Sequence, residues 1–207
     1  MSHFVHVSTT VSKLGPAIPT VNLPAVITCR PDAPCAKLTE EGGGCYCLKG
    51  RWLFKNVQKS LWNNLYAYRE NPKLYFEMIA HQFQFSTVAR FHSSGDIIDE
   101  EYLAGMCWVA RKCKNTHILA FTKKFELVNS YIEAGHRIPK NLHIIYSTWD
   151  NFIPENPYNL PMAYVKFKDE SRNTHIPKKA FECPGKCEEC LYCFYAKKGQ
   201  DVFFKKH

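Results

Sequence analysis

The sequence predicts an α/β fold in which parallel strands are joined by helical crossovers, either a partial (β/α) barrel or a short open parallel sheet. Between residues 86 and 167, apolar runs of strand length alternate with stretches of helical spacing. Turn-forming residues separate them. The chain has 207 residues, of which 45% are hydrophobic, enough for the core of one domain. We therefore predict a single α/β domain over 1–207 with a cysteine-rich C-terminal segment.

The first third of the chain predicts one strand, a loop and two helices. The apolar residues 25–27 indicate a buried strand that ends at Cys29. A loop rich in proline and glycine follows. Apolar side chains then recur at helical spacing over 56–68, and Pro72 opens a second helix that runs through Ile79.

The rest of the chain repeats a strand, loop and helix pattern. The predicted strands are 86–93, 117–121, 143–147 and 163–167, and the predicted helices are 100–112 and 125–134. About five strands are too few for a closed eight-stranded barrel. In either candidate architecture the C-terminal ends of the strands share one edge, so reactive groups are expected there.

The last cysteine cluster is the most specific motif. It holds four cysteines in the segment CPGKCEECLYC: Cys183, Cys187, Cys190 and Cys193. Thiolates are soft ligands for zinc and iron–sulfur clusters. Structural zinc sites usually pair two knuckles across a longer loop, whereas consecutive two-residue gaps are typical of ferredoxin-like clusters. The segment therefore predicts a metal site, with iron–sulfur favoured over zinc.

The first third of the chain holds a second set of four cysteines with irregular spacing: Cys29, Cys35, Cys45 and Cys47. Gly42, Gly43 and Gly44 allow the backbone to fold back on a metal. In an extended chain Cys45 and Cys47 would point in opposite directions, so only one would join the site unless the loop turns sharply. Buried free thiols are the alternative. Cys107 lies on a predicted helix and Cys113, six residues later, lies just after it, so they do not share a face well. Neither is expected to bind metal, and Cys107 is expected to be a small core residue.

Polar residues follow two of the predicted strands. Four of them are candidates for cofactor binding: Ser94, Gly95, Asp96 and Lys123. Exposed amides and a carboxylate could bind an amine or hydroxyls, and a lysine could meet a carboxylate or phosphate. Helix capping by Asp96 and Asp99, and solvation of Lys123, are the alternatives. His92 is either a ligand or base, or a structural hydrogen-bonding group.

Composition limits the partners and the compartment. The chain has 27 basic and 19 acidic side chains, a net charge of +8, which attracts nucleic acid without specifying it. No stretch approaches the roughly 20 apolar residues of a membrane span, and no secretory signal is evident. We therefore predict a cytoplasmic protein with no membrane partner, where ten cysteines are reduced and available for metal.

The chain resembles the uncharacterised phage gene-product-88 proteins and their clostridial relatives. The resemblance is carried by ordered motifs from Cys29 onward: CRPDAPC, CYCLKGRW, RFHSSGDI, AFTKK, NLHIIYSTW, NPYNLPMAYV and CPGKCEEC. That family implies no specific activity.

More remotely, a cysteine loop followed by a Gly-acid loop resembles the radical S-adenosylmethionine enzymes. This resemblance implies a [4Fe–4S] cluster on Cys35, Cys45 and Cys47, and a cofactor amine near Ser94, Gly95 and Asp96. The spacing departs from the CxxxCxxC pattern of those enzymes, because Cys35 and Cys45 enclose nine residues and Cys45 and Cys47 only one.

Two functions of different classes follow from the sequence. The first is an iron–sulfur protein that performs redox or radical chemistry on a small molecule or a nucleic acid, with S-adenosylmethionine as a candidate cofactor. The second is a zinc-stapled, basic module that binds nucleic acid without catalysis. The motifs of P-loop proteins, dinucleotide-binding folds, zinc proteases and serine hydrolases are absent from the sequence.

Overall fold

The computed structural model describes residues 4–9, 11, 14–15, 17–35, 44–173 and 175–205. Eight strands form one sheet: β1 (Val7–Ser8), β2 (Thr20–Val21), β3 (Val88–Phe91), β4 (His117–Thr122), β5 (Leu142–Ser147), β6 (Met162–Lys166), β7 (Phe181–Glu182) and β8 (Val202–Lys205). The α-helices are α1 (Lys55–Glu70), α2 (Pro72–Phe83), α3 (Glu100–Lys112), α4 (Phe125–Glu133) and the single turn α5 (Cys187–Cys190).

The strands lie in the order β1-β2-β3-β4-β5-β6-β8-β7. Every neighbouring pair is parallel except β1 and β2, which are antiparallel. From β2 to β6 the spatial order follows the chain, without the reversal that a doubly wound sheet shows. The predicted class is thus confirmed as an open, mostly parallel sheet with alternating helices.

One face of the sheet packs against the helices. Alternate strand residues such as Ala89, Phe91, Ile118 and Ile144 meet the apolar sides of α1 to α4 in a single core. The helices begin where the sequence predicts: Asn71 caps α2 through its side chain, with Pro72 at the first position, and Asp99 caps α3. In the part of the chain that the structure describes, no helix is both long and apolar enough to cross a membrane.

The opposite face, called here the second face, carries the other set of alternating residues. Its buried side chains include Val88, Leu119, Ile145 and Ala163. A parallel sheet needs cover on both sides. Here the cover is Leu14 and Ile18 from the N-terminal region and the C-terminal segment that contains the cysteines: Cys183, Cys187, Leu191, Tyr192, Cys193, Phe194 and Ala196.

The prediction of a strand at residues 25–27 is wrong. These residues form turns, and Val26 and Ile27 are 41% and 56% exposed. The Thr28 amide and hydroxyl both donate to the Pro24 carbonyl, at 3.3 and 2.9 Å, which closes the chain into a turn. The buried strand lies a few residues earlier, at β2. The other predicted strands and helices are confirmed with shifts of a few residues, and the short strands β1, β7 and β8 were not predicted.

Helices α2 and α3 approach closely at Gly105. A methyl group there would lie 2.0 Å from the Phe76 ring. We expect Gly105→Ala to lower the free energy of unfolding by about 1–3 kcal/mol through overpacking, despite the gain of about 1 kcal/mol in helix propensity. Urea unfolding measures the change. Lys59→Ala, at an exposed position of α1, should stay within about 0.5 kcal/mol of the wild type. A fully stable Gly105→Ala protein would contradict the packing.

Candidate metal centre

The N-terminal cysteines lie at the C-terminal edge of the sheet, as predicted, although no strand ends at Cys29. The segment 22–30 crosses that edge and is fastened to the loops after β3 and β4. The Asn22 carboxamide oxygen accepts the amides of Ser93 and Ser94, at 2.7 and 3.1 Å. Arg30 donates to the Lys123 carbonyl at 3.1 Å. These bonds position Cys29 beside the loop after β3.

Cys45 and Cys47 turn towards one another. A 3-10 helix, Tyr46–Leu48, begins directly after Cys45. The interaction between the two thiols lowers the pKa of Cys45 to about 6 and raises that of Cys47. The Cys47 thiol also approaches the Ser93 carbonyl at 3.6 Å. The sharp turn thus brings both sulfurs to one place, where an extended chain would have separated them.

Cys29 and Cys35 complete this N-terminal set. Burial, followed by the charge of the Asp96 carboxylate and of the thiols of Cys35 and Cys45, raises the pKa of Cys29 to about 12. Burial also raises the pKa of Cys35, whereas the nearby Lys123 ammonium lowers it. All four side chains therefore lie within electrostatic reach of other members of the set. Gly42 and Gly43, expected to help fold this loop, lie outside the described residues; Gly44 lies within them.

Lys123 is a cation that faces this set. Its backbone amide donates to Asp96 at 3.0 Å, and its ammonium lowers the pKa of both Cys35 and Cys45. Within residues 4–205 as far as they are described, no carboxylate pairs with it. An ammonium so placed favours thiolate over thiol.

The predicted cofactor-binding residues of the loop after β3 form hydrogen bonds and packing contacts within the protein. The Ser94 hydroxyl donates to the Leu23 carbonyl at 2.9 Å. Asp96 is buried, which raises its pKa, and it accepts bonds from Thr122 and from the amides of Ile97 and Lys123. Gly95 has a φ of 84°, and a Cβ there would lie 2.7 Å from Leu23. The loop thus supports the cysteines, and its binding of a cofactor stays a prediction.

His92 has its ring on the helical side of the sheet. Its φ of 60° turns the side chain to α3, where Nε2 lies 3.0 Å from the Tyr102 hydroxyl. Burial, followed by the charges of Arg90 and Lys124, lowers its pKa to about 3. The ring is therefore neutral and structural. Its Nδ1 atom is buried and has no hydrogen-bond partner among the residues that the structure describes.

The C-terminal set lies against the second face of the sheet. Cys187 and Cys190 begin and end α5, and Leu191 takes a left-handed φ of 53° that turns the chain into the 3-10 helix Tyr192–Phe194. Burial, followed by the charges of the other three cysteines of the set, raises the pKa of Cys193 to about 12. The Gly185 amide donates to the Cys183 sulfur at 3.4 Å. The sulfurs of this set are thus gathered as well.

A histidine pair fastens this segment to the sheet. His117 and His143 lie side by side on β4 and β5, with Nδ1 of the first 3.0 Å from Nε2 of the second. His143 Nδ1 lies 3.1 Å from the Ala196 carbonyl, and the Tyr195 ring packs on His117 at 4.3 Å between centroids. Sequence reasoning missed this pair, although both histidines occupy second-face positions in the strand alternation.

No disulfide joins any of the ten cysteines. Within the described part of the chain, no group of three or more His, Cys, Asp or Glu side chains is placed so that it could hold a metal ion. The sulfurs of each set share a region of the fold without forming an ion site. Cys107 and Cys113 are buried in the helical core, as expected for Cys107, and the Cys113 thiol donates to the Ala80 carbonyl at 3.3 Å.

Comparison with known proteins gives a family but no relative of known activity. The family model of gene product 88 matches residues 6–181. The chain belongs to the gene product 88 family. The match covers β1 to β6 and the N-terminal cysteines, and it ends two residues before Cys183. No curated protein and no solved structure gave a significant match, and a kinship with radical S-adenosylmethionine enzymes is not shown.

The buried neutral His92 predicts a pH dependence of stability. Its pKa is about 3 in the folded protein and about 6.5 in the unfolded chain. Below pH 6.5 the unfolded chain therefore takes up a proton that the folded protein does not, so stability falls as the pH falls. From pH 6.5 to pH 5 this amounts to about 2 kcal/mol.

Urea unfolding at pH 7 and pH 5 tests this in the wild type and in His92→Asn. Asparagine tolerates a left-handed φ and does not titrate. We expect the wild type to lose about 2 kcal/mol more than the variant over this interval, since the cysteine sets are common to both proteins. An equal loss in the two proteins would show that folded His92 accepts the proton.

Proposed function

We propose that this protein is an iron–sulfur protein that transfers electrons, with one cluster held by each set of four cysteines. The observation that carries the proposal is that the N-terminal set lies at the C-terminal edge of the sheet and the C-terminal set against its second face, with no disulfide among the eight cysteines. Four thiols within eleven residues have no plausible role inside a hydrophobic core. Three of them, Cys183, Cys187 and Cys193, pack against the edge of the second-face core. Metal is the common use of such sets in a chain without disulfides.

The donor chemistry fits a cluster. A metal displaces the thiol protons, so the raised pKa values of Cys29 and Cys193 describe the metal-free protein and oppose free thiolates there. Lys123 supplies a positive charge beside the N-terminal thiols. At the other set, the Gly185 amide donates to sulfur, the type of hydrogen bond that tunes iron–sulfur centres. Binding of the cluster would bring the sulfurs of each set, which lie in the same region of the fold, into ligand geometry.

Iron–sulfur is favoured over zinc by the spacing of the C-terminal set. Its gaps of three, two and two residues resemble ferredoxin-type ligation. Structural zinc usually joins two separate knuckles. The alternative function, a zinc-stapled module that binds nucleic acid, has the net charge of +8 in its favour and predicts a colourless protein.

Electron transfer is favoured over S-adenosylmethionine chemistry by two features. Because Cys45 turns to Cys47, all four N-terminal thiols are available to one cluster, which would leave no iron open to a cofactor. The polar groups of Ser94 and Asp96 are engaged in hydrogen bonds within the protein. Under this proposal the clusters supply the redox chemistry, and the chain fixes their position and surrounding charge.

Anaerobic purification of the full chain tests the metal. We expect a brown protein that absorbs at about 400 nm, with iron and acid-labile sulfide in equal amounts and little zinc. In the double variant Cys187→Ser and Cys190→Ser, we expect iron and sulfide to fall by roughly half, because one of two sets loses its ligands.

Cys113→Ser is the matched control. Its hydroxyl keeps a donor for the Ala80 carbonyl, and we expect the iron content of the wild type. Stoichiometric zinc without sulfide would replace the proposal by the zinc-stapled alternative. The absence of both metals from carefully handled protein would reject metal binding altogether.

A further inference from the structure

Arg90 lies on the second face of the sheet between the two cysteine sets. It is the third residue of β3, whose first residue, Val88, packs in the second-face core with Cys183, Cys187 and Cys193. The Arg90 Nε donates to the His92 carbonyl at 3.2 Å. The next residue, Ser93, accepts from the Tyr46 hydroxyl and lies against Cys47. A single strand thus connects one set to the other.

The guanidinium is held in place by an aromatic ring. Its central carbon lies 5.0 Å from the centroid of Phe121, and Phe121 in turn packs on Phe204 at 5.8 Å. Phe121 and Phe204 belong to the same core as the C-terminal cysteines. The cation is therefore fixed over this core instead of extending into solvent.

Among the described residues, no carboxylate pairs with the positive charge of Arg90, and its side chain is only partly exposed. The Arg90 side chain is placed between the two cysteine sets. Its Nε bonds to the carbonyl of His92, the neighbour of Ser93, whose carbonyl Cys47 approaches at 3.6 Å. The Phe121 ring under its guanidinium packs in the core that includes three of the C-terminal cysteines. A half-buried cation without an anion is unfavourable, and thiolate-held clusters on both sides would supply the missing negative charge.

We propose that Arg90 is a counter-cation shared by two cysteine-held clusters, and that it raises the reduction potential of both. This inference rests on the proposed iron–sulfur function. Reduction adds one electron, and hence one negative charge, to a centre that is already anionic. A fixed positive charge nearby stabilises the reduced form more than the oxidised form. Arg90 is thus a positioning and tuning residue, since it ligates no metal.

The test is a reductive titration with dithionite of the anaerobically purified full chain, followed by electron paramagnetic resonance. Iron and sulfide are measured in every sample. Two neutral variants are compared with the wild type: Arg90→Met, which keeps the apolar stem on Phe121, and Arg90→Gln, which keeps a donor for the His92 carbonyl. Arg90→Lys retains the charge, and Arg111→Met removes a charge from an exposed position of α3.

We expect both neutral variants to keep the iron content and to shift the midpoint potentials of both clusters to more negative values. Arg90→Lys should stay closer to the wild type, and Arg111→Met should leave both potentials unchanged. Using two neutral side chains of different shape keeps the test informative if one of them fails to fold.

Unchanged potentials in an iron-loaded neutral variant would overturn the role of Arg90 and leave the iron–sulfur function intact. A shift confined to one cluster would overturn the sharing. A wild-type protein without iron and sulfide would instead overturn the proposed function itself, and the inference with it, so the two failures are distinct.

Discussion

The fold depends on the need of a parallel sheet for cover on both faces. Helices α1 to α4 cover one face with a large aromatic and aliphatic core. The second face is covered mainly by irregular segments, and its outermost layer includes three cysteines. The cysteine segment contains only the four-residue helix α5 and the 3-10 helix Tyr192–Phe194, which have few internal backbone hydrogen bonds. A metal that joins four points of such a segment would stabilise the cover, and with it the sheet.

The same constraint explains how sulfur and charge are distributed. Thiols pack well against an apolar face while they are protonated, and burial raises the pKa of Cys29 and Cys193 accordingly. Cations do not pack well there without anions. The described residues nevertheless leave Lys123 and Arg90 without carboxylate partners beside the thiols. Under the proposed function, an anionic cluster at each set would supply the negative charge that these two cations lack among the described residues.

Much of the fold could be predicted because periodic burial leaves a mark in sequence. The spacing of Leu61, Leu65 and Tyr68 marked α1, and the alternation in β4 and β5 marked the sheet. The prediction of a strand at 25–27 was wrong because three apolar residues are too few to show a periodic pattern. The Thr28 side chain instead stabilises a turn there by donating to the Pro24 carbonyl. β1 and β7 have two residues each, which is too few for any periodic pattern. β8, which has four residues, was also not predicted.

The candidate site was also predictable only in part. Residue type and spacing alone single out the eight cysteines as candidate ligands, which stays a prediction. The mutual approach of Cys45 and Cys47 depends on a local turn that spacing does not reveal. Arg90 gave no signal, since a basic residue in a strand is ordinary until the fold shows what it faces. Its second-face position follows from Val88 two residues earlier. The two sets are far apart in the chain, with 135 residues between Cys47 and Cys183. Only the sheet, by setting β3 between them, turns one arginine into a charge that both sets share.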